Sequence, residues 1–374
     1  MMEVIESMNK YSFEQIVFCN DNKTGLKGII AIHNTTLGPA MGGTRIAPYK
    51  SEEEALADVM RLSRAMTYKN AVAGLYYGGG KGVIIADPKK DKSEALMRAY
   101  GRFINSLGGR YIAGEDVGST EEDMLAIRRE TPFVIGLPKV YGGSGNVSEP
   151  TAYGIWKGIK ASSAHVFGDP SLKGKRIAIQ GVGNVGSSLC HYLKQEGAEI
   201  FISDVDENKV GMVAAQTGAK PVVNEEIHRL EVDVFSPCAL GGILHDQTIP
   251  QLKCRIVAGA ANNPLVHEEE HAQMLADRGI VYVVDYVINA GGVMCASNEL
   301  IGYNPKRVYF EVDNIYNKVT EMLKIARDKN VTTAKAAMMM ANRRFQDENN
   351  IPRLAYSFKP PMFSSPGPRI NSEE

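Results

Sequence analysis

Ala178-Ile179-Gln180-Gly181-Val182-Gly183-Asn184-Val185-Gly186-Ser187 is a short apolar run broken by three glycines at GxGxxG spacing. The spacing predicts the strand, turn and helix that open a dinucleotide-binding unit. The first glycine allows the tight turn, the second lets the backbone approach a pyrophosphate, and the third lets the helix pack close to the strand. The helix then offers its free N–H groups and the positive end of its dipole to phosphates. Gly181, Val182, Gly183, Asn184, Val185, Gly186 and Ser187 are therefore candidate cofactor contacts. Because glycine-rich turns are common, the flanks decide. Lys175 to Ile179 precedes the turn as a strand, Ser188 to Leu193 continues it as an amphipathic helix, and Glu199-Ile200-Phe201-Ile202-Ser203-Asp204 is a second strand ending in an acid. Asp204 stands 18 residues after the third glycine, the separation expected of a carboxylate that hydrogen-bonds a ribose 2′-hydroxyl.

Working outward, strands expected at Val232–Phe235, Arg255–Ala258 and Ile280–Val284 alternate with helical stretches, the pattern of a doubly wound parallel sheet. The chain has 374 residues, enough for two domains with separate cores. Lys and Arg total 42 against 43 Asp and Glu, and no block of like charge suggests a nucleic-acid track or a basic membrane face. The five scattered cysteines fit neither a disulfide framework nor a metal cluster and imply a reducing, cytoplasmic setting. The N-terminus lacks a signal-peptide pattern, and no apolar run approaches the length of a membrane span.

The first half opens with strand-like runs at 15–19 and 27–33. A helix with a Ser51 N-cap follows, its apolar positions Ala55, Val59, Leu62 and Met66 continuing to about Lys69. Leu75 to Ile85 carries three glycines that deliver Lys81 to the mouth of a strand. It is not a P-loop, since no glycine stands five positions before Gly80, and Gly82 occupies the place of the Ser or Thr. A helix is expected over 92–107, a strand over 110–113, and a glycine-bounded turn over 114–118 that holds Glu115 and Asp116. Residues 137–150, rich in Gly, Ser and Pro, form the expected hinge. The architecture expected is α/β. A substrate-binding and oligomerisation domain spans 1–145 and a Rossmann-type nucleotide domain 146–330, with a cleft between them. C-terminal helices at about 330–350 pack back on the first domain, and 351–374 form a surface or disordered tail.

His267-Glu268-Glu269-Glu270-His271 matches HExxH, but its position in a crossover helix and the lack of any later histidine argue for a solvated acidic face and no metal. The lysines are more telling. Lys69 and Lys81 can converge on one small anion, and burial with like charge lowers at least one pKa, which suits a lysine to general-base work near neutral pH. Asp116 is the matching proton partner.

With Thr35 to Arg45, Met66-Thr67-Tyr68-Lys69, Gly78-Gly79-Gly80-Lys81, Glu115-Asp116-Val117-Gly118, the nucleotide turn, Ser236-Pro237-Cys238-Ala239, Gly259 to Asn263 and Asn289-Ala290-Gly291-Gly292-Val293 in this order, the chain resembles the glutamate/leucine/phenylalanine/valine dehydrogenase family, and its leucine branch most, over residues 10–345. The resemblance implies NAD-dependent, reversible oxidative deamination of a hydrophobic L-amino acid to a 2-oxo acid and ammonium by a homo-oligomer of two to eight subunits. It implies that Lys69 binds the substrate carboxylate, Lys81 activates the water that attacks the imine, and Asp116 shuttles protons. Asn262 then helps hold substrate and nicotinamide, Thr151 lies by the carboxamide, and Cys238 and Ala239 border the cofactor. Met41, Gly42, Gly114, Val293 and Ala296 line an apolar pocket, which argues against glutamate as substrate. Gly114 stands where the leucine branch has alanine and Ala296 where it has valine, so larger side chains are expected to fit. The alternatives are an enzyme mainly for phenylalanine or tryptophan, and a catalytically silent NAD-binding regulator on the same fold.

Overall fold

The computed structural model describes residues 4–239 and 241–348; the expected tail at 351–374 lies outside them. The first part contains α1 (Val4–Tyr11), β1 (Gln15–Asp21), β2 (Leu26–Asn34), β3 (Ala40–Ala47), α2 (Glu52–Ala73), β4 (Gly78–Ile85), α3 (Glu94–Ser106), β5 (Tyr111–Glu115) and α4 (Glu121–Arg128). The second contains α5 (Ser148–Phe167), β6 (Arg176–Gln180), α6 (Asn184–Gln195), β7 (Glu199–Ser203), α7 (Glu207–Thr217), β8 (Lys220–Pro221), β9 (Val234–Pro237), β10 (Ile256–Val257), α8 (Glu268–Asp277), β11 (Val281–Tyr282), α9 (Asp285–Ile288) and α10 (Gly291–Ser297). The helices α11 (Pro305–Asp313), α12 (Ile315–Lys329) and α13 (Thr333–Glu348) follow.

Five strands form the first sheet in the order β1-β2-β4-β3-β5, antiparallel across β1, β2 and β4 and parallel across β4, β3 and β5. The second sheet, β11-β10-β9-β6-β7-β8, is parallel throughout. Counted from β6, this is the dinucleotide-binding order 3-2-1-4-5-6, with its reversal between β6 and β9, beside the glycine turn. In such sheets ligands bind outside the carboxyl ends of the strands at that reversal.

Three local expectations change, and one strand is new. The glycine triplet lies within β4, so Lys81 projects from the middle of a strand. Those glycines are poor strand formers, but a side chain at Gly79 would place its Cβ 2.0 Å from Thr67 Oγ1, so glycine alone lets α2 lie directly on β4. Residues 40–47, quoted above only for their motif, form the strand β3 between β4 and β5. α2 runs past Lys69 to Ala73 and ends at Gly74, whose φ of 86° closes it in the left-handed conformation. α5 begins at Ser148, inside the expected hinge, because Pro150 falls in its first turn, where no N–H is missed.

The second core is not confined to the second sheet. Ala71, Val72 and Ala73 at the end of α2 pack into it with Ile155, Ile288 and Val319, and Arg344 Nη1 on α13 donates to the carbonyls of Ala71 (2.8 Å) and Leu75 (3.1 Å).

Candidate active site

A cleft of about 390 Å³ opens between the two sheets. From the first side it is lined by Met41 and Gly42 on β3, Lys69 on α2, Lys81 on β4, Gly114 on β5 and Asp116 just beyond it. From the second come Thr151 on α5, Val185 on α6, Asn262, and Val293 and Ala296 on α10. The structure thus brings together every residue expected to touch substrate.

Lys81 Nζ is 3.1 Å from Asp116 Oδ2, and its side chain is only 6% exposed. Arg45 Nε donates to the same oxygen at 2.9 Å, while Arg45 Nη1 reaches Asp58 Oδ2 at 3.0 Å, which also accepts from the Tyr49 hydroxyl at 2.8 Å. Burial pushes the Asp116 carboxyl up, but Lys81 and Arg45 outweigh it and hold the group below the usual carboxylate range. Burial lowers the Lys81 pKa against the pull of Asp116, and the Arg45 charge lowers it further. Lys69 falls to about 8, chiefly by burial, with Asp285 opposing and Lys81 adding repulsion. Asp285, raised by burial, accepts the backbone N–H of Asn263 at 2.7 Å.

On the opposite wall, Asn289 Nδ2 donates to Asn262 Oδ1 at 2.9 Å and to the Ala260 carbonyl at 3.1 Å. The Thr151 hydroxyl donates to the Val147 carbonyl at 2.8 Å. At the apolar end, Met41, Ile112, Ile135 and Leu300 form a buried cluster against which Val293 and Ala296 pack.

The other expected cofactor residues gather at the glycine turn. Gly181 has φ 98°, and a Cβ there would meet Ala239 N at 2.8 Å; a Cβ on Gly186 would meet Gly181 O at 2.0 Å. Gly183, by contrast, faces open space. It is the N-cap of α6 and offers no side chain to that helix, so the N–H groups of the first turn are available to an anion. Asp204, following β7, accepts the Val182 N–H at 2.8 Å. An open backbone at the second glycine with a carboxylate beside it fits a dinucleotide.

The family model for the Glu/Leu/Phe/Val dehydrogenase dimerisation domain matches residues 13–133, and that for glutamate/leucine/phenylalanine/valine dehydrogenase matches 142–220 and 202–352. The chain belongs to this family. As a Glu/Leu/Phe/Val dehydrogenase it is an amino-acid oxidoreductase. It is 51% identical over 345 residues to the leucine dehydrogenase of Geobacillus stearothermophilus, covering 92% of this chain and 94% of that one. It is 47% identical over 329 residues to the phenylalanine dehydrogenase of Lysinibacillus sphaericus (87% and 86%). The crystal structure of L-tryptophan dehydrogenase from Nostoc punctiforme superposes with a TM-score of 0.83 at 46% identity, covering 92% and 99%.

Arg45, Asp58, Asp285 and Asn289 were given no role from the sequence, because the contacts that tie them to the site, Arg45 with Asp116 and Asp58, Asp285 with Asn263 and Asn289 with Asn262, span 13 or more residues and depend on strand order. In the HExxH stretch Glu268, Glu269 and Glu270 form the expected exposed acidic face, while His271 turns inward: it is 1% exposed, and its Nδ1 accepts the N–H of His267, the N-cap of α8, at 3.0 Å. Among the described residues, no group of three or more His, Cys, Asp or Glu is placed to hold a metal ion.

Proposed function

We propose that this dehydrogenase oxidises hydrophobic L-amino acids to 2-oxo acids and ammonium with NAD as acceptor. The observation that carries the reading is the single cleft in which two lysines and an aspartate face an asparagine and a threonine across an apolar end. The Lys69 ammonium holds the substrate carboxylate. Lys81 and Arg45 both occupy Asp116 Oδ2, so Oδ1 is the oxygen left to take a proton from the substrate amine. Lys81 in its neutral form takes the proton of the water that adds to the imine carbon; collapse of that adduct releases ammonium and the 2-oxo acid. The Asn262 amide, its oxygen engaged by Asn289, keeps its NH2 group as a donor for substrate, and Thr151, donating to Val147, keeps lone pairs for an amide N–H. NAD held at the glycine turn would accept the hydride that leaves Cα. Asp204 favours a ribose 2′-hydroxyl over a phosphate.

A second reading, phenylalanine or tryptophan as main substrate, is favoured by the small residues Gly114 and Ala296 and by the phenylalanine and tryptophan dehydrogenases among the relatives. The two readings separate in one assay of NADH absorbance with a panel of amino acids. Lys81→Ala is expected to abolish turnover while leaving NADH binding nearly intact; substantial residual activity would sink the assigned role.

We also read the enzyme as a cytoplasmic homo-oligomer. Five free thiols support the compartment, and the first matched model, described as a dimerisation domain, supports the assembly. No helix among the described residues is long and apolar enough to cross a membrane.

A further inference from the structure

Glu299 lies in the 3-10 turn Asn298–Ile301 that follows α10, and its carboxylate accepts from both ends of one loop. At the loop entry, the Gly136 N–H reaches Oε1 and Oε2 at 3.2 and 3.1 Å, and the Leu137 N–H reaches Oε2 at 3.3 Å. At the exit, Ser144 gives Oε1 its N–H at 2.8 Å and its hydroxyl at 2.5 Å. One residue on, the Gly145 N–H closes on the Leu137 carbonyl at 3.1 Å, so these donors surround a neck. Hydrogen bonds to an ionised acceptor are roughly twice as strong as neutral ones, and four donors on one carboxylate make a firm clamp.

The neck is also a wall. Ile135, Gly136 and Gly145 line the cleft from the loop side, and Val293 and Ala296 line it from α10, the helix that leads directly into Glu299. The two walls of the apolar end are therefore joined through this one side chain as well as by packing. None of the steps above uses it.

We propose that Glu299 is a positioning residue that sets the width of the apolar end, and with it the preferred side-chain size, by holding the loop 135–145 against α10. The inference rests on the reading that this end receives the substrate side chain. Without the clamp the walls separate, a small side chain loses contact, and a large one is disfavoured less.

The test is kcat/KM for valine, leucine and phenylalanine in the full-length wild type and in Glu299→Ala, Glu299→Gln and Ser144→Ala, with the Kd of NADH measured by fluorescence in each. In Glu299→Ala the phenylalanine-to-leucine ratio should rise about tenfold, the scale of a methylene-sized misfit, mainly through the KM for leucine. Ser144→Ala, which removes one donor, should shift the ratio the same way by less, and the Kd of NADH should stay within about twofold. Glu299→Gln keeps one acceptor oxygen and should fall between; it and Ser144→Ala supply the ratio if the alanine variant does not fold. A loss by the same factor for every side chain would show a merely structural role and overturn the proposal. The wild-type panel tests the underlying reading separately: an enzyme that oxidises no hydrophobic amino acid overturns both, whereas unchanged ratios in the variants overturn only the role of Glu299.

Discussion

Gly114 and Ala296 look equivalent as sequence departures, each a smaller residue on a pocket wall, but the structure makes them unequal. A methyl added at Gly114 would stand 3.2 Å from Ile135 Cγ1 and 3.7 Å from its Cδ1, so Ile135 already fills much of the space. Ala296 is half-buried on α10 and lines the cleft beside Val293. Ala296→Val adds two methyl groups where a substrate side chain would lie. At roughly 0.8 kcal/mol per methyl-sized group, the change is worth about 1.6 kcal/mol, or about 15-fold in discrimination. We expect Ala296→Val to lower the phenylalanine-to-leucine kcat/KM ratio by about that factor. Gly114→Ala should change it by no more than about threefold, since the new methyl displaces Ile135 before it meets substrate. Steady-state kinetics with leucine, valine, phenylalanine and tryptophan in both single variants and the double variant measure the effect. A larger shift from Gly114→Ala than from Ala296→Val, or a wild type that rejects every aromatic substrate, would refute the reasoning.

Asp204→Ala should raise the KM for NAD and narrow the gap to NADP, because it removes the carboxylate that repels a 2′-phosphate; a wild type that prefers NADP would contradict this. Arg45→Met should displace the rise of kcat/KM with pH toward alkaline values: the guanidinium lowers the Lys81 pKa, so without it the lysine loses its proton only at higher pH. A pH–rate profile that stays in place or moves to lower pH argues against that coupling. Lys69→Met should raise Tm at neutral pH. The folded-state pKa of about 8 lies below the ordinary 10.5, so the charge costs stability below about 8, and the cost fades as pH climbs from there to 10.5. Thermal unfolding at pH 7 and pH 10 reads the difference, which should shrink at the higher pH.

What could be read from the chain was what is local. The nucleotide turn, its flanking strands and Asp204 lie within about 30 consecutive residues whose order mirrors their chemistry. Lys69 was recognisable as a charge at a helix end, and Lys81 and Asp116 as charges set beside glycines, yet not their geometry: Lys81 sits mid-strand because the glycines before it are needed for packing and not for a turn. Arg45 reaches Asp116 only because β3 runs between β4 and β5, placing Thr44 beside Gly82 on one side and Glu115 on the other. No periodicity in the sequence announces that order. Glu299 was hidden for a different reason, since its partners are mostly backbone N–H groups, which carry no residue signature.

The way α2 is held explains why two cations can share one cleft. Asn70 Nδ2 donates to the Gly78 carbonyl at 2.6 Å, and Thr67 lies against Gly79, so the helix bearing Lys69 is fixed directly on the strand bearing Lys81. Just beyond, Ala71 to Ala73 sink into the core of the nucleotide-binding part, and Arg344 donates to the carbonyls of Ala71 and Leu75. Lys69 is therefore anchored to both parts at once, whereas Lys81 and Asp116 belong to the first part and Asn262 to the second. A buried ammonium beside another is costly, and rigid support from two cores keeps the pair from drifting apart to relieve it. The same support keeps Lys69 close to Asp285 at the start of α9, whose charge opposes the fall of its pKa. Lys69 thus stays charged at neutral pH, as the proposed hold on a substrate carboxylate requires, while the more deeply buried Lys81, paired with Asp116, is the lysine proposed for proton transfer.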